Sequence, residues 1–491
     1  MKKRFGLLLA IIVALFMTVV PLSTQHAQAA DNSLEKIQKK GVLVMGTSPD
    51  YPPYEFQATV NGKSTVVGMD VQIGKKVAKD LGVKLKIKSM SFDSLLVALQ
   101  TGKIDMIISG MNPTPARRKN VDFTHVYYQG GYDIVINKTD KAKYKNKDSF
   151  KGGTLGAQTG TTQYNAVKKQ TKNTASKGMT SQSDLILALQ SHKLDGVAME
   201  KPSAEAYTSN NKNLVAIPSD FNMSSDATSS AIAFRKGSTS LVNKVNKSVD
   251  QIKKENLVKK QYLPVAGKYL KTNTVNTSMG HYWQAFATGV EYTLIITVCS
   301  VFFGFIIGIL LALARTAKGN IFKTALRWVS TAYVEFIRGT PMMVQVMFVY
   351  FGLGLFVNLP ALTSGIIAIS LNSGAYVAEY IRGGINSVNI GQTEAARSLG
   401  MSNGATMRYV VLPQALKNIW PSLGNEFITL IKDSSIVSII GVTELIYQSN
   451  IVRSDTYRGV APIVVIMVLY FILTFTASRI LNYFERKMQH D

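Results

Sequence analysis

Gly110, Asn112 and Arg117 fall just past one short apolar strand pattern, and Glu200 falls just past another. Thr114-Pro115 has the N-cap and first-turn signature of a helix, which would place free backbone N–H groups close to the Arg117 guanidinium. Gln158-Thr159-Gly160-Thr161-Thr162 is a second candidate turn into a helix N-terminus. One guanidinium, two helix starts and a nearby carboxylate make an anion site with an acid beside it, which suits a zwitterion. Singly, these residues say little. An arginine in a turn is more often a solvated surface residue, and Tyr51, Pro52, Pro53 and Tyr54 can be read as a rigid turn with core aromatics.

An internal repeat draws them together. Residues 91–105, SFDSLLVALQTGKID, return as residues 181–195, SQSDLILALQSHKLD, at an offset of 90. Each copy predicts a helix, a turn and then a strand, Met106 to Ser109 in the first and Gly196 to Met199 in the second. From about Asp31 to Pro264, short apolar strands alternate with helical stretches in this way, the pattern of an α/β fold. Two lobes of similar construction are expected. In open α/β sheets, ligands bind beyond the carboxyl ends of the strands, so facing lobes put the ligand in the cleft between them.

The chain of 491 residues changes character along its length. Residues 31–280 hold 37 Lys+Arg against 20 Asp+Glu, whereas residues 281–491 hold 15 against 10 and are mostly apolar. So much lysine without an interleaved aromatic stripe reads as a solvated surface and argues against nucleic acid. Met1 to Ala30 has a basic start, an apolar run and Ala27-Gln28-Ala29, a secretory signal expected to be cleaved near Ala29 or Ala30. The lone cysteine, Cys299, excludes an intramolecular disulfide and reads as a small apolar core residue.

The expected domains are 31–270, a linker at 271–284, and a membrane domain at 285–491. Gly289–Ala314, Met342–Val357, Leu362–Ile381 and Ala461–Leu481 are long apolar runs, and Leu423–Gly441 is a weaker fifth. Five spans with residues 31–270 outside put the carboxyl terminus inside the cell. Arg315, Lys318, Lys323, Arg327, Arg382, Arg397, Arg408, Lys417, Arg479, Arg486 and Lys487 then face the cytoplasm, against only Arg453 and Arg458 outside.

Residues 394–413, EAARSLGMSNGATMRYVVLP, resemble the coupling loop of ABC-importer permeases, with Glu394-Ala395-Ala396, Gly400 and Leu412-Pro413 at the matching places. Arg338-Gly339-Thr340-Pro341 and Gly374 to Gly384 look like the polar amino-acid permeases of the glutamine type. The outer half resembles the polar amino-acid binding proteins through Val42 to Thr47, Tyr51 to Phe56, Gly68 to Val71 and Asp122-Phe123. The resemblance implies a two-lobed α/β binding domain of the type II periplasmic kind, fused to an all-α type I importer permease of about five helices.

By the family pattern, Arg117 holds a substrate carboxylate, aided by the Asn112 amide and Thr161, beside Gly110. Glu200 holds the ammonium, while Tyr51 and Phe92 flank the side chain. A bidentate arginine–carboxylate pair suits that task. Ser48 stands where several relatives carry an acid, and Asn112 where Ser or Thr is usual. Asp70 and Asp50 remain as contacts for a cationic or amide side chain, although Asp70 can also be structural.

No Gly-x-x-x-x-Gly-Lys-Ser/Thr phosphate loop is present, so ATP would be hydrolysed by a separate ABC subunit. The resemblance implies two such subunits, a second copy of this chain and a lipid bilayer as partners. No cofactor of the chain's own and no metal site are expected. A glutamate-receptor-like channel would carry its pore between the lobes, but here both repeats end well before Gly289. An enzyme on this fold would need a nucleophile and base, and His125, His192 and His281 have no evident partner. The expected setting is the cytoplasmic membrane of a Gram-positive bacterium, carrying a polar amino acid of the glutamine or basic type inward.

Overall fold

The computed structural model describes residues 31–491 except 61–62, 273–277, 317–318, 358, 457–459 and 491. The expected signal segment, and Lys318 and Arg458 of the charge pattern, lie outside the described residues.

Two five-stranded sheets build the outer half. The first orders its strands Lys84–Ser89, Val42–Thr47, Met106–Ile107, Ser229–Arg235, Val121–Gln129. The second orders Ala175–Met179, Thr154–Gln158, Gly196–Glu200, Tyr132–Asn137, Leu214–Pro218. Three parallel strands in each sheet are followed by an antiparallel one contributed by chain that has come across from the other lobe. The chain crosses after Gln129 and returns before Ser229, so two segments join the lobes, the construction of a hinge.

The repeat is realised in three dimensions. Its helices are Phe92–Gln100 and Gln182–Gln190, followed by Gly102 at φ +73° and His192 at φ +54° in matching turns. The aspartates that close the two copies do the same work. Asp105 Oδ2 accepts the Val44 N–H at 2.8 Å, and Asp195 Oδ2 accepts the Thr154 N–H at 2.7 Å. Each fixes the equivalent strand of its sheet, Val42–Thr47 in one and Thr154–Gln158 in the other.

Helices lead out of the binding domain, through Leu263–Thr272, and into the membrane half, from Trp283 to Thr316, so both intrude on the expected linker. Met279–Thr316, Ala361–Asn386 and Ala461–Lys487 are long and apolar enough to cross a bilayer. Two bent pairs bring the number to five if each is one span. Gly304 and Gly308 let the first of these helices close on Ser373 and Val377 of the second, where a Cβ would come within 2.9 and 2.4 Å of those side chains.

The second apolar run, expected at Met342–Val357, is preceded by a further helix. Met342–Leu355 is only the latter part of a pair whose first part, Ile321–Arg338, is an 18-residue helix bent 109° from it. Lys323, Arg327, Glu335 and Arg338 lower the average hydropathy there, while Ile321, Phe322 and Val329 stand exposed on its other side. Gly339-Thr340-Pro341 makes the break, with Pro341 capping the next helix. The weaker fifth run lies in Leu412–Asp433 and the 3-10 turn that follows, bent 54° from Leu445–Arg453. Cys299, expected in a core, is only half-buried.

Lobe one sits on one end of the bundle. Leu95 and Ile107 belong to the same apolar cluster as Val346, Tyr350 and Ile440, and Lys103 donates to the Leu359 carbonyl at 3.0 Å. The helix Ala361–Asn386 starts at that end and, at 1.5 Å per residue, runs about 39 Å to the loop that carries Glu394. Binding domain and coupling loop therefore occupy opposite ends.

Candidate functional site

A small cavity of about 10 Å³, room for about one water, remains between the lobes. Its wall takes Ser48, Tyr51, Glu55, Phe92, Ser109, Gly110 and Asn112 from lobe one, and Gln158, Thr161, Gln163 and Glu200 from lobe two. Seven of the eight substrate residues expected from sequence lie on or beside it. Asp70 does not.

The Tyr51 ring stacks on Tyr54 at 5.3 Å, and its hydroxyl accepts the Glu200 N–H at 3.0 Å from the opposite lobe. Gly110 adopts φ +53°, which favours glycine, and sits against the Tyr51 and Tyr54 rings. Asp70 is fully buried behind it and accepts the Gly110 N–H at 2.8 Å and the Tyr127 hydroxyl at 2.9 Å. Its work is to hold the Gly110 turn.

Glu200 ends the strand Gly196–Glu200 and is 3 % exposed. Its Oε1 accepts the Asn112 side-chain amide at 3.3 Å. Burial raises its carboxyl to about 7, against the lowering effects of the Tyr54 and Asn112 hydrogen bonds and the Arg117 charge. Asn112 is itself fully engaged, donating to the Ser229 carbonyl at 3.0 Å and accepting from Thr162 at 2.9 Å. It ties the lobes together.

Arg117 is placed by the one-turn helix Pro115–Arg118, with Thr114 as N-cap as the sequence predicts. That helix offers less than expected, because the Thr114 hydroxyl already takes the Arg117 N–H at 3.4 Å. The guanidinium lies 5.5 Å from the Phe92 ring centre, donating to the Asn112 carbonyl and, across the cleft, to the Gly160 carbonyl, each at 2.9 Å. Two of its five N–H groups are so used. Burial holds it down to about 10, still charged at neutral pH. Thr161 caps the second helix, Thr162–Gln170, accepting the Tyr164 N–H at 3.2 Å, as the turn pattern predicts.

Glu55 was not among the expected substrate contacts. It is 1 % exposed, accepts the Ser109 hydroxyl at 2.5 Å through Oε1, and has no donor at Oε2. Oδ1 of Asp70 is likewise without a donor, and the two carboxyls stand close enough to share a proton. Burial, and then the neighbouring Asp70 charge, push Glu55 well above the usual range. Its signal in the sequence is its place in the strand Glu55–Val60, where register with Tyr51 turns it inward.

At the far end of the bundle, Ile390–Ser398 is a helix capped by Asn389, so Glu394-Ala395-Ala396 lies in its middle and not at its start. Ala396 packs inward, while Leu399 is 84 % exposed. Gly400 turns the chain at φ +83° with open space where a Cβ would be. Leu412 and Pro413 begin the helix Leu412–Asp433 after a wide turn, Met407–Val411. Among the described residues no group of three or more His, Cys, Asp or Glu is placed to hold a metal ion.

Two lobes closing over a cavity, joined in one chain to a helical membrane domain, define a solute-binding protein fused to a permease. The family of bacterial extracellular solute-binding proteins, family 3, matches residues 43–264, and the binding-protein-dependent transport system inner membrane component matches residues 274–490. The glutamine transport system permease protein of Escherichia coli K12 is 40 % identical over 204 residues, 41 % of this chain and 91 % of that one. A Rickettsia bellii counterpart named for the same transport role is 41 % identical over 202 residues, 41 % of this chain and 91 % of its own. An arginine-bound amino-acid ABC transporter substrate-binding protein of Streptococcus pneumoniae is 38 % identical, covering 48 % of this chain and 97 % of its own, with a TM-score of 0.46. The chain belongs to the ABC importers of polar amino acids, with binding and permease domains in one polypeptide.

Proposed function

We propose that the chain captures an amino acid with an amide or basic side chain outside the cell and passes it through its own permease domain. Two copies of the chain work with two separate ATPase subunits, which dock on residues 394–413. The observation that carries this reading is the pair of buried charged groups at the cleft between the lobes, Glu200 on its wall and Arg117 beside Phe92. Glu200 takes the ammonium and Arg117 the carboxylate, with Thr161 and the Gly110 turn around the α-carbon. Tyr51 and Phe92 enclose the side chain. Glu55, whose carboxyl is part of the cavity wall, selects a side chain that brings N–H groups of its own. The relatives named for glutamine transport agree with such a donor-bearing substrate.

The test is calorimetric titration of the full chain in lipid nanodiscs with glutamine, asparagine, arginine, lysine and glutamate. Tight binding of one or more of the first four, and none of glutamate, supports the reading. No binding of any of the five would overturn it.

A further inference from the structure

The permease domain grips the two lobes separately. Lobe one is held by Lys103, which donates to the Leu359 carbonyl at 3.0 Å and lies 4.8 Å from the Tyr350 ring centre. It is held again at Gly441, packed so closely on Ser89 that a Cβ would stand 2.4 Å from the Ser89 carbonyl oxygen. Lobe two is gripped through an ion pair, Asp184 to Arg453 of the helix Leu445–Thr456. The sequence places Arg453 on the outer side between two apolar runs; it is 6 % exposed and its Nε has no partner.

Asp184 lies in the first turn of the helix Gln182–Gln190, whose Gln182 N–H donates to Asp50 of lobe one at 2.9 Å. Nearby, Thr159 of lobe two donates to Asp93 of lobe one at 2.7 Å. These contacts exist only while the cleft is shut. A cavity of about 470 Å³ lies where the lobes and bundle meet, lined by Asp50, Asp93 and Asp184 above and Met343, Ile439 and Asn450 below.

We infer that Arg453 is the residue by which the permease reads lobe closure, its pairing with Asp184 being possible only when lobe two is closed on an anchored lobe one. Opening is a rotation of one lobe about the two connecting segments. With lobe one fixed, that rotation carries Asp184 away and leaves the Arg453 guanidinium, which also donates to Asn450 Oδ1 at 3.2 Å, without its acid, an arrangement that is disfavoured. Docking therefore favours closure, and by reciprocity closure favours docking. The inference rests on the proposed reading of the cleft as the capture site.

The experiment uses the full chain in nanodiscs, with Cys299→Ala, spin labels at Lys119→Cys and Lys172→Cys, and L-glutamine and L-arginine as probes. Asp184→Asn and Arg453→Gln should each shift the ligand-free distance distribution toward open lobes and weaken capture severalfold. The exchange Asp184→Arg with Arg453→Asp should restore both. Wild-type distances and affinity in Asp184→Asn, whose position is 41 % exposed and tolerates the change, would overturn the inference. So would an exchange that restores neither. If neither probe binds the wild type while the single variants still open the lobes, the capture reading fails and the latch stands.

Discussion

Glu200 meets Asn112 across the cleft, carboxylate to side-chain amide, at 3.3 Å. The acid proposed to take the substrate ammonium is thus positioned from the opposite lobe whenever the cleft is shut. Removing one partner from a desolvated charge pair costs about 2–5 kcal/mol. Glu200→Ala and Arg117→Ala should each weaken amino-acid binding well over tenfold, measured by titration calorimetry. Circular dichroism should show the fold retained, and wild-type affinity in both folded variants would place the substrate elsewhere.

The pH dependence of capture follows from the same acid. Burial raises Glu200 to about 7 in the empty cleft, above its unfolded value of 4.5. The folded chain therefore holds a proton there that the unfolded chain lacks between those values, and this contribution to stability fades as pH rises toward 7. Binding an ammonium has the opposite sign, because it requires the carboxylate. Affinity should be flat above about pH 7 and fall toward roughly tenfold per unit below it, one proton being displaced. Asp70, raised to about 6, adds a smaller step lower down. Glu200→Gln should remove the upper step, and an unchanged profile in that variant would assign the titration to another group.

The proposed choice of side chain by Glu55 can be tested directly. Its Oε1 accepts the Ser109 hydroxyl, and its carboxyl is part of the cavity wall with Asp70 behind it. Glu55→Gln keeps the volume but removes the carboxyl that a basic side chain would ionise, so it should weaken binding of a basic amino acid by at least tenfold while affecting an amide substrate less. Competition titrations with arginine and glutamine measure the ratio. Equal losses for both would mean that Glu55 supports the Asp70 pair and does not touch the side chain.

Much of this site was legible because it is local. The repeat fixed both helices, both turns and the aspartates that pin the equivalent strands, all within short windows of sequence. Thr114 and Thr161 were legible as caps for the same reason. Glu55 was not, because its inward direction depends on register in a hairpin with Tyr51. The burial of Arg453 was not legible because its acidic partner lies 269 residues away. Ile321–Arg338 escaped because charges on one face hide an apolar face from averaged hydropathy, although the helical period is present.

Orientation can be tested with single cysteines in a Cys299→Ala background. An impermeant thiol reagent added to intact cells should label Asn211→Cys in the binding domain and miss Asn403→Cys beside the coupling loop. The reverse pattern would invert the proposed topology.

Gly400 offers the sharpest test of coupling. It stands between the helix Ile390–Ser398 and the cap Ser402, at φ +83°, and no atom lies within 4 Å of where its Cβ would be. Space is therefore not what demands glycine. The left-handed backbone is, and it costs an ordinary residue roughly 1–2 kcal/mol, while asparagine adopts it more readily. Gly400→Val should tilt Leu399, now presented to solvent, away from its partner, whereas Gly400→Asn should preserve the turn. The readouts are substrate binding to the outer domain and substrate-stimulated ATP hydrolysis by the reconstituted transporter. Binding should survive in both variants, because some 39 Å of helix separates the two ends. Hydrolysis and uptake should be lost in Gly400→Val and largely kept in Gly400→Asn. Full uptake by Gly400→Val, or uptake by the chain with no ATPase subunit present, would show that this loop is not where the work of ATP enters.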